Sequence, residues 1–200
     1  MAHARALAHL KQADPKLAAL IAAQGACTLK PNYADPFAAL CEAILYQQLT
    51  GKAAATIIGR FKGLYGGKHP SPKRALGTPI EDLRGVGLSN AKARAVLDLA
   101  QKVHDGTLDF DALHDLDDAQ VIKQLVQVRG VGPWTAEMFL IFNLGRPDVF
   151  PLGDYGIQKG VQQLYGYKKL PAARTMLRHA KPWQPYRSVA TWYLWRLVDG

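Results

Sequence analysis

The chain has 200 residues, 48% of them in the hydrophobic set, enough for one good core or for two small lobes around a cleft. Its formal net charge of +9, from 25 Lys and Arg against 16 Asp and Glu, favours a polyanionic partner, because each phosphate contact releases condensed counterions. Two cysteines, Cys27 and Cys41, are too few for a disulfide framework or a four-cysteine iron–sulfur cluster, and no run of about 18 apolar residues offers a membrane span.

Residues 1–11 mix His and Arg with Ala and Leu and lack an apolar core followed by a small-residue cleavage site. An intracellular, reducing compartment is expected: cytoplasmic or nucleoid-associated in a prokaryote, nuclear in a eukaryote. Asp35-Pro36-Phe37 then sets a capping Asp before a proline of the first turn. Phe37, Leu40, Cys41, Ile44 and Leu45 follow at helical spacing, which predicts an amphipathic helix ending near Gln48. Thr50 opens a second helix through Ile57, Ile58 and Phe61, stopped at Gly66-Gly67. Ser71-Pro72 and Thr78-Pro79 repeat the cap-then-proline pattern for two short helices. Ser89 caps a longer one with Ala93, Val96, Leu97, Ala100 and Val103 on its apolar stripe. Helices are predicted further on over 118–126, 134–144, 155–164, 172–180 and 185–197. Alternating β-branched runs do not extend beyond a few positions, so the fold class is all-α. No low-complexity linker divides the chain, and residues 1–200 are expected to form a single compact unit of two helical lobes.

One pattern occurs twice, 45 residues apart: Leu83-Arg84-Gly85-Val86-Gly87 and Val128-Arg129-Gly130-Val131-Gly132, each ahead of a helix. Alternate glycines let the backbone turn tightly and leave main-chain N–H groups uncovered at the next helix N-terminus, where the helix dipole adds positive potential. A phosphate can sit there, held without regard to base sequence. A tight turn that merely packs two helices would use the same residues. The second copy has the fuller context: Leu125-Val126 end an apolar helix, Pro133 starts the next, and Asp154 follows 22 residues after Gly132.

Residues 125–160, LVQVRGVGPWTAEMFLIFNLGRPDVFPLGDYGIQKG, resemble the helix-hairpin-helix, Gly/Pro-rich loop and aspartate signature of the helix-hairpin-helix DNA glycosylase superfamily. Tyr46-Gln47-Gln48-Leu49, the stretch from Val86-Gly87 to Ala100, and Lys181-Pro182-Trp183 through Trp195 extend the resemblance towards its DNA-3-methyladenine glycosylase II branch, over residues 36–197. The resemblance implies two helical lobes around a working cleft, with the helix-hairpin-helix and catalytic loop at 118–160. It implies no room for the N-terminal sheet domain of larger members. The implied partner is double-stranded DNA containing alkylated bases, with no membrane and a monomer sufficing.

By the same resemblance Asp154 is the catalytic carboxylate, which would stabilise an oxocarbenium-like sugar. The same Asp could simply cap a helix, and both can hold. Members that attack the sugar with an amine carry a lysine two residues after the last hairpin glycine. Here Trp134 stands there, and an indole forms no Schiff base. A monofunctional enzyme that uses water and leaves an abasic site is therefore expected. Alkylated purines carry positive charge and prefer π-rich surroundings. The resemblance places Trp134 and Trp192 in the base pocket with Tyr46 and Gln47, although Trp192 and Trp195 would equally serve as core anchors. Met138 stands where related proteins have an aromatic residue, which bears on base preference.

The flipped base leaves a gap that a wedge must fill: Asn90 matches the wedge position and Leu88 is the better apolar plug. Arg129, Gly130, Val131 and Gly132, with Gly85 and Gly87, are the expected DNA contacts, and Arg84, Lys92, Lys159 and Lys168 are further basic candidates. No cofactor is required. A structural monovalent cation at the carbonyls of Val128 and Val131 is implied at most, and the six histidines lack metal-ligand spacing. The alternatives are a non-catalytic helix-hairpin-helix DNA-binding module and a glycosylase for oxidised or mismatched bases.

Overall fold

The computed structural model describes residues 3–32, 35–49 and 51–199. In them the chain forms α1 (Ala4–Ala13), α2 (Pro15–Gln24), α3 (Pro36–Tyr46), α4 (Gly51–Gly63), α5 (Pro72–Leu76), α6 (Ile80–Gly85), α7 (Asn90–His104), α8 (Asp118–Leu125), α9 (Pro133–Phe142), α10 (Tyr155–Tyr165), α11 (Ala173–Ala180) and α12 (Arg187–Asp199). Short 3₁₀ turns lie at Ala112–Asp115 and Lys181–Trp183, and no strand is present among the described residues. The all-α fold class holds. Two compact units divide the chain: Asn32–Phe139, and Met1–Pro31 together with Leu140–Gly200.

Side-chain caps account for several helix starts. Asp35 Oδ1 accepts the N–H groups of Phe37 (2.9 Å) and Ala38 (3.3 Å). Ser71 Oγ takes that of Arg74, Ser89 Oγ that of Lys92, and Asp117 and Gln120 close a reciprocal capping box at α8. Thr78 differs from expectation. Its hydroxyl donates back to the Arg74 carbonyl (3.0 Å) and meets the Tyr65 hydroxyl (2.8 Å), so it closes α5 and α6 starts behind Pro79 without a side-chain cap. Thr50, read as the cap of α4, lies outside the described residues. That helix ends at Gly63, and Gly66 and Gly67 shape the turn beyond it.

In the Asn32–Phe139 unit, α7 is the central helix, with α3, α5 and α6 packed on it. Its buried residues are Ala93, Ala95, Val96, Leu99 and Ala100, in place of the Leu97 and Val103 of the sequence reading, because Ala95 faces the second hairpin as well. The other unit is centred on Leu10, Leu17, Ile157, Val161, Met176, Trp183, Tyr193 and Leu194. Its first two helices escaped the sequence reading, yet Asp14-Pro15 is the same cap-then-proline signal: Asp14 Oδ1 accepts from Lys16 (2.9 Å) and Leu17 (3.1 Å). Within this unit α10 lies close against α12, and a Cβ on Gly160 would sit 2.8 Å from the Leu194 carbonyl oxygen. Only glycine permits that approach.

Candidate active site and hairpin

The second hairpin joins α8 to α9. Gly130 turns the chain with φ +76°, and its Cα lies against Ala95, where an added Cβ would be 3.4 Å away. Three polar contacts fasten the turn. Asp98 Oδ2 accepts the Arg129 N–H at 2.7 Å, and the Gln47 side-chain amide donates to the Gly130 carbonyl (3.0 Å) and to Thr135 Oγ1 (3.1 Å). The Val131 N–H donates to the Val128 carbonyl at 3.0 Å, and both valine side chains are buried. Among the described residues no protein acceptor takes the Gly130 or Gly132 N–H. Arg129 and Gly130 are exposed. Of the expected set, Arg129 is exposed and Gly130 and Gly132 keep amides without a protein acceptor, while Val131 packs the turn.

The first copy of the pattern has a different backbone. Gly85 is the last helical residue of α6, and Gly87, not Gly85, takes positive φ (+102°). Leu88 N–H reaches the Leu83 carbonyl (3.3 Å) and Gly87 N–H the Arg84 carbonyl (2.9 Å), the double bond of a Schellman cap. Leu83 and Leu88 are buried, as the apolar contact of that motif requires. The amides at 86, 87 and 88 are thus consumed by the helix end, which removes Gly85 and Gly87 from the phosphate-binding set. It also removes Leu88, 4% exposed, as a wedge. Asn90 stays exposed at the start of α7, its Oδ1 accepting from Arg94 Nε. Gln48, just past α3, is exposed and has φ +58°, the one described non-glycine residue with positive φ.

Lys92 also departs from expectation. Its ammonium donates to the carbonyls of Leu45 (2.7 Å) and Gln47 (2.8 Å), closing the C-terminal end of α3, and burial pulls its pKa down. It supports the Gln47 turn and is not a spare cation for phosphate. Beside that turn, Tyr46 is half-exposed and Trp134, at the second position of α9, is 43% exposed. The Gln47–Thr135 bond brings the end of α3 to the start of α9, so Tyr46, Gln47 and Trp134 share one region of this unit. Met138 is half-buried a turn further along α9.

Asp154 lies in the other unit, as the residue preceding α10, and is 9% exposed. One carboxylate oxygen, Oδ1, accepts both the Ile157 N–H (2.8 Å) and the indole N–H of Trp195 (3.1 Å). The capping role and a fixed orientation coincide. Trp195 is in turn stacked on Phe142, rings 5.8 Å apart and 18° from parallel. Trp192, the tryptophan named from the sequence, instead packs edge-on against Tyr193 with Arg196 over its ring. The two tryptophans stand three residues apart on one helix, and composition alone does not say which faces the carboxylate.

Among the described residues no cluster of three or more His, Cys, Asp or Glu side chains is placed to hold a metal ion, and no helix is long and apolar enough to cross a membrane. Residues 41–185 match the family described as HhH-GPD superfamily base excision DNA repair protein. DNA-3-methyladenine glycosylase 1 of Schizosaccharomyces pombe is 34% identical over 164 residues, 81% of this chain and 72% of that protein. The Bacillus subtilis protein YfjP is also 34% identical, over 166 residues, and there the match spans 80% of this chain but only 58% of the longer relative. The solved structure of the Schizosaccharomyces pombe 3-methyladenine DNA glycosylase Mag1 in complex with abasic DNA superposes with a TM-score of 0.87 at 32% identity, covering 98% of this chain and 97% of that one. The chain belongs to the HhH-GPD superfamily of base excision DNA repair proteins, in its DNA-3-methyladenine glycosylase branch.

Proposed function

We propose that this chain is a monofunctional DNA glycosylase that hydrolyses the N-glycosidic bond of alkylated bases, of the 3-methyladenine and 7-methylguanine type, in double-stranded DNA. The carrying observation is the Asp154 carboxylate, buried and fixed by two donors on one oxygen. As the C1′–N bond breaks, its electron pair leaves with the base and positive charge develops on the sugar. A carboxylate already oriented stabilises that charge without reorganising. Water then adds to C1′, loses a proton, and leaves an abasic site. An alkylated purine is already cationic, so it departs readily and gains from stacking on exposed indole and phenol faces such as Trp134 and Tyr46. Trp134 in place of an amine supports the monofunctional reading.

The hairpin amides of Gly130 and Gly132, with Arg129, support a phosphate contact that anchors the duplex. The Val128 carbonyl already accepts one hydrogen bond, so a monovalent cation there would rely on Val131 and a DNA phosphate to complete its shell. It would supply charge towards that phosphate and no chemistry. Asn90 and the strained, exposed Gln48 are the two candidates for the wedge. A monomer suffices for these roles.

The test uses methylated duplex DNA with mass spectrometry of the released bases. Wild type should free 3-methyladenine or 7-methylguanine. Asp154→Asn should free none while keeping DNA affinity, since it retains the cap and removes the charge. Undiminished release by Asp154→Asn would refute the assignment.

A further inference from the structure

Residues 155–198 contain eight Lys and Arg and no Asp or Glu, in a chain of formal net charge +9. Lys168, Lys169, Arg174, Arg178 and Lys181 fall in one short segment of it, and all five are exposed. None has a carboxylate partner among the described residues, whereas cations elsewhere do: Lys62 on Glu42, Lys102 on Asp98, Arg187 on Asp148. On α11, Arg174 and Arg178 stand one turn apart, while Met176 and Ala180 turn into the core.

The loop before α11 is fastened beside it. The Tyr167 hydroxyl lies 2.8 Å from His179 Nε2, and the Tyr165 ring stacks on the His179 imidazole with centroids 3.6 Å apart. Lys16, exposed at the start of α2, holds its ammonium 5.4 Å from the Tyr165 ring centre and donates to the Tyr165 carbonyl. Lys16 of α2 and Arg178 of α11 therefore act on one aromatic stack, and Lys168 and Lys169 follow directly after Tyr167 in the chain. His179 reports the resulting field: burial, then the Arg178 and Lys16 charges, hold its pKa below the ordinary value against the opposing pull of Asp14.

We propose that Lys16, Lys168, Lys169, Arg174 and Arg178 form a second DNA-backbone contact, separate in residues from the hairpin, that grips duplex phosphates without regard to sequence. It rests on the reading of the chain as a DNA enzyme. Exposed cations with no carboxylate partner are what counterion release rewards. Leu170 and Leu177 are the exposed large apolar side chains of this segment, too little for the apolar centre of a protein interface.

The experiment compares wild type with the fourfold variant Lys168→Gln, Lys169→Gln, Arg174→Gln, Arg178→Gln. Affinity for undamaged duplex is measured by fluorescence anisotropy across a salt series, beside single-turnover excision at saturating enzyme. The variant should bind undamaged duplex about tenfold or more weakly at low salt, and its log–log salt slope should be shallower by about two to four, near 0.9 per lost contact. Its single-turnover rate should stay that of wild type. A control neutralising Lys11, Lys30, Lys68 and Lys73 changes net charge equally and should leave a steeper slope than the fourfold variant. Equal slopes in wild type and variant, or equal losses in variant and control, overturn the proposal alone. A wild type that binds no duplex and releases no base overturns the enzymatic reading as well.

Discussion

At Asp154 one carboxylate oxygen meets the demand of helix capping and fixes the orientation that the proposed catalytic role requires. An Asp at a cap has its orientation set by backbone geometry, so the charge is placed before substrate arrives. Trp195 adds a second donor to the same oxygen. Replacing it by Phe removes the N–H and can retain the stack on Phe142. A hydrogen bond to a charged group contributes about 1.5–3 kcal/mol to the folded state, so Trp195→Phe should lower the melting temperature by several degrees and, by loosening the carboxylate, lower kcat with DNA affinity nearly unchanged. Parallel losses of affinity and activity would instead assign Trp195 to base binding. The cap at Asp154 was readable from the sequence, because an Asp just ahead of Tyr155-Gly156-Ile157 is a local signal. Trp195 was not, because choosing between Trp192 and Trp195 requires the rotation of α12 about its axis, which a helix that buries Ser188 and Thr191 along with Tyr193 and Leu194 does not encode in its polarity.

Elements were legible wherever a side chain announces a boundary: Asp35, Ser71 and Ser89 each cap as read, while the capping box at Asp117 went unread. The twin hairpin was misleading for a physical reason. Glycines two apart allow positive φ at either position, and the neighbouring hydrogen bonds decide which; Gly87 takes it in the first copy and Gly130 in the second. Alanine at either should cost about 1 kcal/mol of stability through that φ. Only Gly130→Ala, beside the amides without a protein acceptor, should weaken duplex binding in the folded protein, measured by anisotropy below the melting range; equal loss in Gly87→Ala would restore the first copy as a phosphate site. The contact of α10 with α12 went unread although Gly156 and Gly160 stand one turn apart. A Cβ at 160 meets backbone, which cannot rotate away, so Gly160→Ala should cost about 1–3 kcal/mol. Because α10 starts at Asp154 and α12 carries Trp195, its excision rate should fall further than the folded fraction explains, as thermal melts set beside kcat would reveal.

Across the whole molecule, the fold class followed from helical periodicity and caps, but the pairing of distant segments did not, since no local signal links residues 1–31 to the C-terminal helices. The link is a buried polar junction. Asp14, 8% exposed, caps α2 with Oδ1 while Oδ2 accepts the Trp183 indole N–H (3.1 Å) and the Tyr165 hydroxyl. Burial opposes its ionisation, but the bonds from Tyr165, Leu17, Trp183 and Lys16 together hold its pKa below the ordinary carboxylate value of 3.8. A carboxylate whose folded pKa lies below its unfolded one contributes stability that is present above 3.8 and is lost as pH falls through the folded value. Asp14→Ala removes the cap and strands two buried donors, which should cost about 2–4 kcal/mol at neutral pH. That deficit relative to wild type should begin to shrink as pH falls below 3.8 and be smallest below the folded value, where wild type protonates the same carboxyl. Denaturant unfolding of both proteins at neutral pH and at successive acid pH values measures it, and a deficit constant across the series would show that the junction holds through packing rather than charge.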